Sequence, residues 1–308
     1  MNILDFDYLN GRLDTAGLFG SDTSIANLFL LQEKYNTELK IQKNILFRYY
    51  YGSENRTGYG FPLPMQDAPE NWLKIALDYI LDDARLQKRP IAFCLLTANQ
   101  KNLINDCLAR YFPDYVINWK TNRDDCDYIY LQSNLANLPG SQYQKKRNHI
   151  SRFNRIYGLP GSNWEFKSYP ENDIAADILA VSQKWYEEKD GDNEDVLRLE
   201  HESIEKALKN QKLLNLRGGV LYINGEPAAM TLASPISPDV LDIIYEKAVA
   251  EHEKNGAYAV INQEFVRRCS AFLYINREED MGVEGLRKAK LSYKPEMILE
   301  KFYGSLEE

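Results

Sequence analysis

The chain has 308 residues, 44% hydrophobic and 27% charged, an ordinary globular composition at about two domains' length. Its net charge of −8 and pI near 5.2 argue, for the surface as a whole, against a binder of nucleic acid or anionic lipid. Residues 1–7 lack the regions of a signal peptide, no stretch approaches ~20 apolar residues, and Cys94, Cys107, Cys126 and Cys269 fit no zinc or disulfide framework, so a cytoplasmic protein with no transmembrane segment and no metal is expected.

In chain order, Ser-Asp-Thr-Ser at 21–24 supplies cap residues for a helix carrying Ile25, Leu28, Phe29 and Leu31. Residues 39–42 and 45–51 predict strands around a short turn, and Phe61-Pro-Leu-Pro breaks regular structure. Helical period over 71–81, a buried-strand run at 90–96, a helix opened by Thr97 and a strand at 127–131 make the first half α/β. A second series starts at Trp164 with a strand, followed by helices at 174–187 and 197–209. Strands around the Asn224-Gly225 turn and at 240–246 come next, then a helix at 256–269, a strand at 271–276, a helix at 283–292 and a last strand at 297–303. That order resembles the GNAT acyltransferase pattern. The architecture expected is two tandem GNAT-like halves, 1–141 and 161–308, joined by a basic helix at 142–160.

The linking segment is the first informative feature. Residues 128–164 contain no Asp or Glu but hold Lys145, Lys146, Arg147, Arg152, Arg155 and His149. Drawn as a helix, they place Ile150, Phe153 and Tyr157 on an apolar stripe and Lys145, Asn148, Arg152 and Arg155 on another face. A solvated face would ordinarily interleave acids with these cations. The pattern therefore predicts a phosphate-binding track over a merely solvated helix.

A second candidate site is the polar stretch at 276–295, which follows an apolar strand, where α/β ligand sites gather. Glu278 and Asp280 could hold an amine or act as bases, with Asn276 among the substrate-binding candidates. Gly282 and Gly285 allow tight turns, and Arg287, Lys288 and Lys290 could hold an anion. The plain alternative is a polar loop with surface ion pairs. Glu246, near the end of the preceding strand, could position or deprotonate an attacking amine, or simply be salt-bridged. The loop after that strand reads Ala-Val-Ala-Glu-His-Glu-Lys-Asn-Gly-Ala at 248–257. It lacks the glycine-rich cradle for a coenzyme A pyrophosphate and carries Glu251 and Glu253, which disfavour one.

Ala26-Asn27-Leu28-Phe29, Lys145-Lys-Arg-Asn-His-Ile-Ser-Arg-Phe-Asn-Arg and Asn276-Arg-Glu-Glu-Asp-Met-Gly-Val-Glu-Gly-Leu-Arg-Lys-Ala-Lys-Leu-Ser-Tyr-Lys-Pro together resemble the stand-alone relatives of the C-terminal domain of phosphatidylglycerol lysyltransferases. The resemblance implies transfer of an amino acid from aminoacyl-tRNA to an amine or hydroxyl acceptor, lipid or small molecule, without a bound cofactor. Lys145, Arg147, Arg152 and Arg155 would grip the donor's phosphates, Glu246 and Asp280 would bind the amino group or relay a proton, and Arg287 would hold an anionic part of either substrate. Two rival readings are an acyl-CoA-dependent N-acyltransferase and a binding module without catalysis.

Overall fold

The computed structural model describes residues 3–52, 56–160, 163–189 and 194–306. Helices α1 (Ile3–Leu9) and α2 (Ile25–Leu30) come first. Ser24 caps α2 as expected, its hydroxyl accepting the Asn27 N–H at 3.0 Å. Strands β1 (Thr37–Gln42) and β2 (Ile45–Tyr51) turn through Lys43 and Asn44, both at positive φ, the geometry a two-residue hairpin needs. Then follow β3 (Thr57–Tyr59), β4 (Leu63–Pro64), α3 (Trp72–Gln87), β5 (Ala92–Leu96), α4 (Ala98–Tyr111), β6 (Ile117–Thr121), β7 (Asp127–Leu131) and α5 (Gln132–Asn137). Thr97 and Gln100 close a capping box at the start of α4.

The basic helix is α6 (Gln144–Tyr157), with Phe153 and Tyr157 buried as the stripe predicts. Beyond it lie β8 (Trp164–Tyr169), α7 (Ala175–Glu187), α8 (Glu194–Lys209), β9 (Arg217–Ile223), β10 (Glu226–Ser237) and β11 (Val240–Ala248). The chain continues through α9 (Ala250–Glu253), α10 (Ala257–Arg267), β12 (Tyr274–Asn276), α11 (Glu284–Leu291), β13 (Met297–Leu299) and β14 (Phe302–Leu306). From β8 onward this is the GNAT-like order read from the sequence. Asn224 and Gly225 turn between β9 and β10, again both at positive φ.

The strands form two sheets among the described residues. One has the order β1-β2-β3-β5-β14-β6 with β4 beside β2; the other runs β13-β7-β12-β11-β10-β9-β8. The sheets do not follow a chain division at 141. Strand β7 from the first half pairs with β12 and β13, and β14 from the second half inserts between β5 and β6. The single strand expected at 297–303 is therefore two strands in different sheets. The crossing falls at Lys301, 1% exposed, whose ammonium is drawn inward to the carboxylates of Asp22 and Asp127. The main core is continuous across the halves, joining Phe6, Leu28 and Phe29 to Ile178, Val181, Met230 and Leu232. Each such side chain contributes roughly 1.5–3 kcal/mol by leaving water, so the two sheets are held in one fixed relation.

One feature of the second sheet makes room for a site. Strands β11 and β12 pair in parallel only at Val240–Tyr274, Leu241–Ile275 and Asp242–Asn276. After that β12 ends, while β11 runs on to Ala248. Backbone groups and side chains beyond Asp242 and Asn276 thus open onto a gap at the carboxyl ends of two parallel strands, where α/β proteins place ligands.

Candidate active site

The gap is part of a cavity of about 780 Å³ lined from both sheets and from α2, α6, α8, α10 and α11. That volume suits a small organic ligand or the end of a larger one. Its apolar part includes Leu28, Leu31, Leu199 and Ile243; its polar part includes Arg56, Lys146, His149, Glu246, Arg277, Glu278 and Glu279. Leu95, also lining it, holds φ 63, a conformation uncommon for leucine, at an irregularity in the β5–β14 pairing.

The wall after β12 is built by an unusual convergence. Lys290, 7% exposed on α11, donates from one ammonium to the backbone carbonyls of Arg277, Glu278 and Glu279. Glu278 and Met281 take positive φ, as does Gly282, where a Cβ would meet Asp124 at 2.9 Å. The folded-back loop lets Arg277, Glu278 and Glu279 all line the cavity. Asn276, fully buried, anchors its start by donating to Asp127 and the Phe19 carbonyl and accepting from the Glu278 N–H.

The loop's far side is fastened by Arg287. Its Nε and Nη2 donate to Asp280 at 2.8 Å each, and Nη2 also reaches Asp124 at 2.6 Å. Tyr128 donates to the same Asp280 carboxylate, and Arg123 stands 3.5 Å away. The Arg287 hydrogen bonds first, with those of Tyr128 and the Gly282 amide, hold the Asp280 carboxyl far below its usual range. Neither residue lines the cavity. Asp280 and Arg287, expected as a base and an anion holder, are thus bonded to each other and fasten the loop from outside the cavity.

Within the cavity, Glu246 accepts from Arg277 Nη2 at 2.7 Å and Asn262 Nδ2 at 2.8 Å. Burial and the neighbouring Glu279 push Glu278 up to about 8. Across from them, α6 contributes Lys146 and His149. Burial, with Arg277 nearby, pushes Lys146 down to about 8, and burial with Lys146 lowers His149. Lys146 lies 3.7 Å over the Tyr293 ring and has no carboxylate partner among the described residues. Arg56 pairs with Asp125 and stands 3.8 Å from Glu279.

Several sequence candidates fall elsewhere. Lys145, Asn148, Arg152 and Arg155 are on the exposed side of α6; Asn148 accepts from Gln144, and Arg152 reaches Asn255. Arg147 is spent on the carbonyls of Leu138 and Gly140, fastening α6 to the preceding loop. Lys288 is exposed and paired with Glu284. Gly285 lines the cavity as a plain helical residue with open space beside it. Glu246, Glu278, Gly285 and Lys290 are thus the selected residues at the cavity, and Lys290 acts there through backbone carbonyls. Lys146, His149, Arg277, Glu279 and Arg56 were missed. The signal for the first two was available: Lys146 and His149 extend the Ile150–Phe153–Tyr157 stripe by one turn, which turns them inward.

Over residues 15–303 the sequence matches the family described as phosphatidylglycerol lysyltransferase, C-terminal. The chain belongs to that family. A conserved protein of unknown function from Bacteroides thetaiotaomicron shares 31% identity, with 100% of this chain and 98% of that one covered and a TM-score of 0.85. The L-PGS structure from Bacillus licheniformis matches at 13% identity, covering 94% of this chain and 93% of that one, with a TM-score of 0.59. The C-terminal domain of a protein named as a lysylphosphatidylglycerol synthetase from Agrobacterium fabrum matches at 14%, covering 91% and 86%, also at 0.59. The last two likenesses are of fold alone. No curated protein matches the sequence significantly. Family membership supports a transferase of acyl or aminoacyl groups. Among the described residues no helix is long and apolar enough to cross a membrane.

Proposed function

We propose that this protein moves an amino acid from aminoacyl-tRNA to an amine or hydroxyl acceptor, a lipid or a small molecule, in the cavity between its sheets. The observation that carries the reading is the two-sidedness of α6. One side offers Lys146 and His149 to the cavity, while Lys145, Arg152 and Arg155 face solvent on the other. A tRNA backbone bound along the outer face would lie on the very helix that walls the reaction space, so the same element reads phosphates outside and meets the ester inside.

In the reaction, the acceptor's nitrogen or oxygen attacks the ester carbonyl. The C–O bond to the tRNA ribose then breaks, and the ribose hydroxyl leaves with the proton that the acceptor loses. Glu246, oriented by Arg277 and Asn262, faces the cavity as the group to position the acceptor. Lys146, with no carboxylate partner among the described residues, is suited to the oxyanion that forms on the carbonyl. Both substrates held in one cavity gain chiefly from positioning.

An acyl-CoA donor is the second reading, and one contact counts against it. Gly256, at φ 107 before α10, packs so closely on α6 that a Cβ there would come 2.7 Å from the His149 carbonyl. The backbone at the amino end of α10, where a pyrophosphate would sit, is thus packed against α6 at Gly256.

The test is tRNA binding by fluorescence anisotropy across a salt series, followed by transfer of a labelled amino acid. Wild type is expected to bind with a steep salt dependence. A variant with Lys145, Arg152 and Arg155 changed to Glu is expected to lose binding. Equal binding by both would remove α6 as the track, and no wild-type binding at low salt would remove tRNA as donor.

A further inference from the structure

The chain has three histidines, and the structure sets one apart. His252 shares a hydrogen bond with Tyr157, and His201 shares one with Ser182 beside Glu205; neither histidine lines the cavity. His149 does line it, half-buried, and its ring makes no hydrogen bond or ion pair among the described residues. Its backbone is pinned. A Cβ on Gly256 would come 2.7 Å from the His149 carbonyl and 3.6 Å from the His149 Cβ. The ring therefore starts from a fixed point on α6. Lys146 lies one turn earlier on the same helix and lines the same cavity, and residues so spaced stand about 5–6 Å apart at their Cβ atoms.

By contrast, carboxylates of the wall are engaged. Glu246 takes donors on both oxygens, from Arg277 and Asn262. Glu278 accepts from Asn27, Asp127 faces Lys301, and Glu200 faces Lys247. The charges acting on His149 are cations of its own helix, Lys146, Lys145 and Arg152. Glu253 and Tyr258, from the segment packed on α6 at Gly256, line the same cavity. Burial first, then those cations, lower His149 from its ordinary value, so the ring is neutral and free to take a proton at neutral pH.

We infer that His149 is a catalytic residue, the group that carries the proton from the acceptor to the leaving oxygen. The inference rests on the acyl-transfer reading but not on tRNA as the donor. The acceptor's nitrogen or oxygen bonds to the carbonyl carbon, and the carbonyl electron pair moves to the oxygen facing Lys146. The free imidazole nitrogen of His149 takes the proton that the acceptor atom loses. As the C–O bond to the ribose breaks, the imidazolium returns that proton to the ribose oxygen. His149 ends as it began. With a thioester donor the C–S bond breaks instead and the proton leaves on sulfur.

The test is single-turnover transfer by the whole protein across a pH series. Donors are labelled aminoacyl-tRNA and acetyl-CoA; acceptors are glycinamide, glycerol and phosphatidylglycerol vesicles. With glycerol, which does not ionise in this range, the wild-type rate is expected to rise with pH as His149 loses its proton. The rise should level off below the ordinary histidine value of about 6.5. His149→Gln should lower the rate about 100-fold or more and remove that limb, with melting temperature and tRNA binding unchanged. In His149→Ala, added imidazole should restore transfer, a response that a merely structural histidine would not give. An unchanged rate or an unchanged pH limb in His149→Gln, or a loss in His149→Ala that imidazole does not restore, would overturn the assignment. Transfer from acetyl-CoA alone, with the same loss and rescue, would keep His149 and remove tRNA as donor. Transfer from aminoacyl-tRNA that is indifferent to both substitutions would keep the donor and remove His149. No transfer from either donor would remove both.

Discussion

The Lys301 ammonium stands 3.1 Å from the Asp127 carboxylate, and both residues are at most 1% exposed. The contact lies where the chain leaves the second sheet for the first. Asp127 also accepts from the Ser21 amide and Asn276, so this one carboxylate ties three distant segments. Removing one partner of a buried pair leaves the other charge unpaired, which costs about 3–5 kcal/mol. Lys301→Met is therefore expected to lower unfolding stability by about that much, read as a drop in the urea midpoint. An unchanged midpoint would mean that the pair is not closed in solution.

Lys290 is expected to matter through the backbone. Lys290→Met removes an ammonium bonded to the Arg277, Glu278 and Glu279 carbonyls. Hydrogen bonds to charged groups contribute roughly 1.5–3 kcal/mol each, so the loop should loosen. Faster amide exchange across residues 276–283, with transfer reduced at least tenfold, is the expected result. Intact loop protection alongside lost activity would point instead to direct contact with substrate.

Arg287→Ala should change acid stability. In the folded protein Asp280 is held below its unfolded value, first by its hydrogen bonds to Arg287. Its contribution is thus fully present above the unfolded carboxyl range and is lost as pH falls through the folded value. Without Arg287 that contribution is smaller at neutral pH, so less acid is needed to unfold the protein. Acid unfolding followed by circular dichroism should shift its midpoint upward in the variant. The same variant should lose transfer by releasing the loop, although Arg287 does not line the cavity.

Gly256→Ala should disturb packing and chemistry together. A Cβ there meets the His149 carbonyl at 2.7 Å, and φ 107 is strained for any other residue. A loss of about 1–3 kcal/mol is expected, measured as a fall in melting temperature. Because His149 and Lys146 share that helix, transfer should fall too.

Much of this was legible from the chain. The second half declared itself through strong signals: helical period in α7 and α8, an Asn-Gly hairpin, and long apolar strands from β9 to β11. The exchange of β7 and β14 was not legible, because partner choice in a sheet depends on long-range contacts and neither strand carries a mark of its neighbour. Residues 297–303 read as one strand since a lysine mid-run looks like a surface residue; only the carboxylates of Asp22 and Asp127 make it a buried crossing. Within residues 276–295, Glu278, Gly285 and Lys290 line the cavity, whereas Asp280 and Arg287 lie outside it. Asp280 and Arg287 stood out as charged neighbours in sequence, whereas positive φ at Glu278 and Met281 decides which side chains turn inward. Asn27 belonged to the least specific of the matching segments, and its partners Asp242 and Glu278 lie more than 200 positions away.

The insertion of β14 between β5 and β6 constrains how the molecule is made. During translation β5 and β6 emerge long before the strand that must lie between them. Until residues 302–306 leave the ribosome, both present open edges able to pair with another chain. Assembly of the first sheet therefore waits for residues 302–306, and a nascent chain stalled before them is an aggregation hazard. Expression at slow elongation rates should favour chaperone-bound species over folded protein.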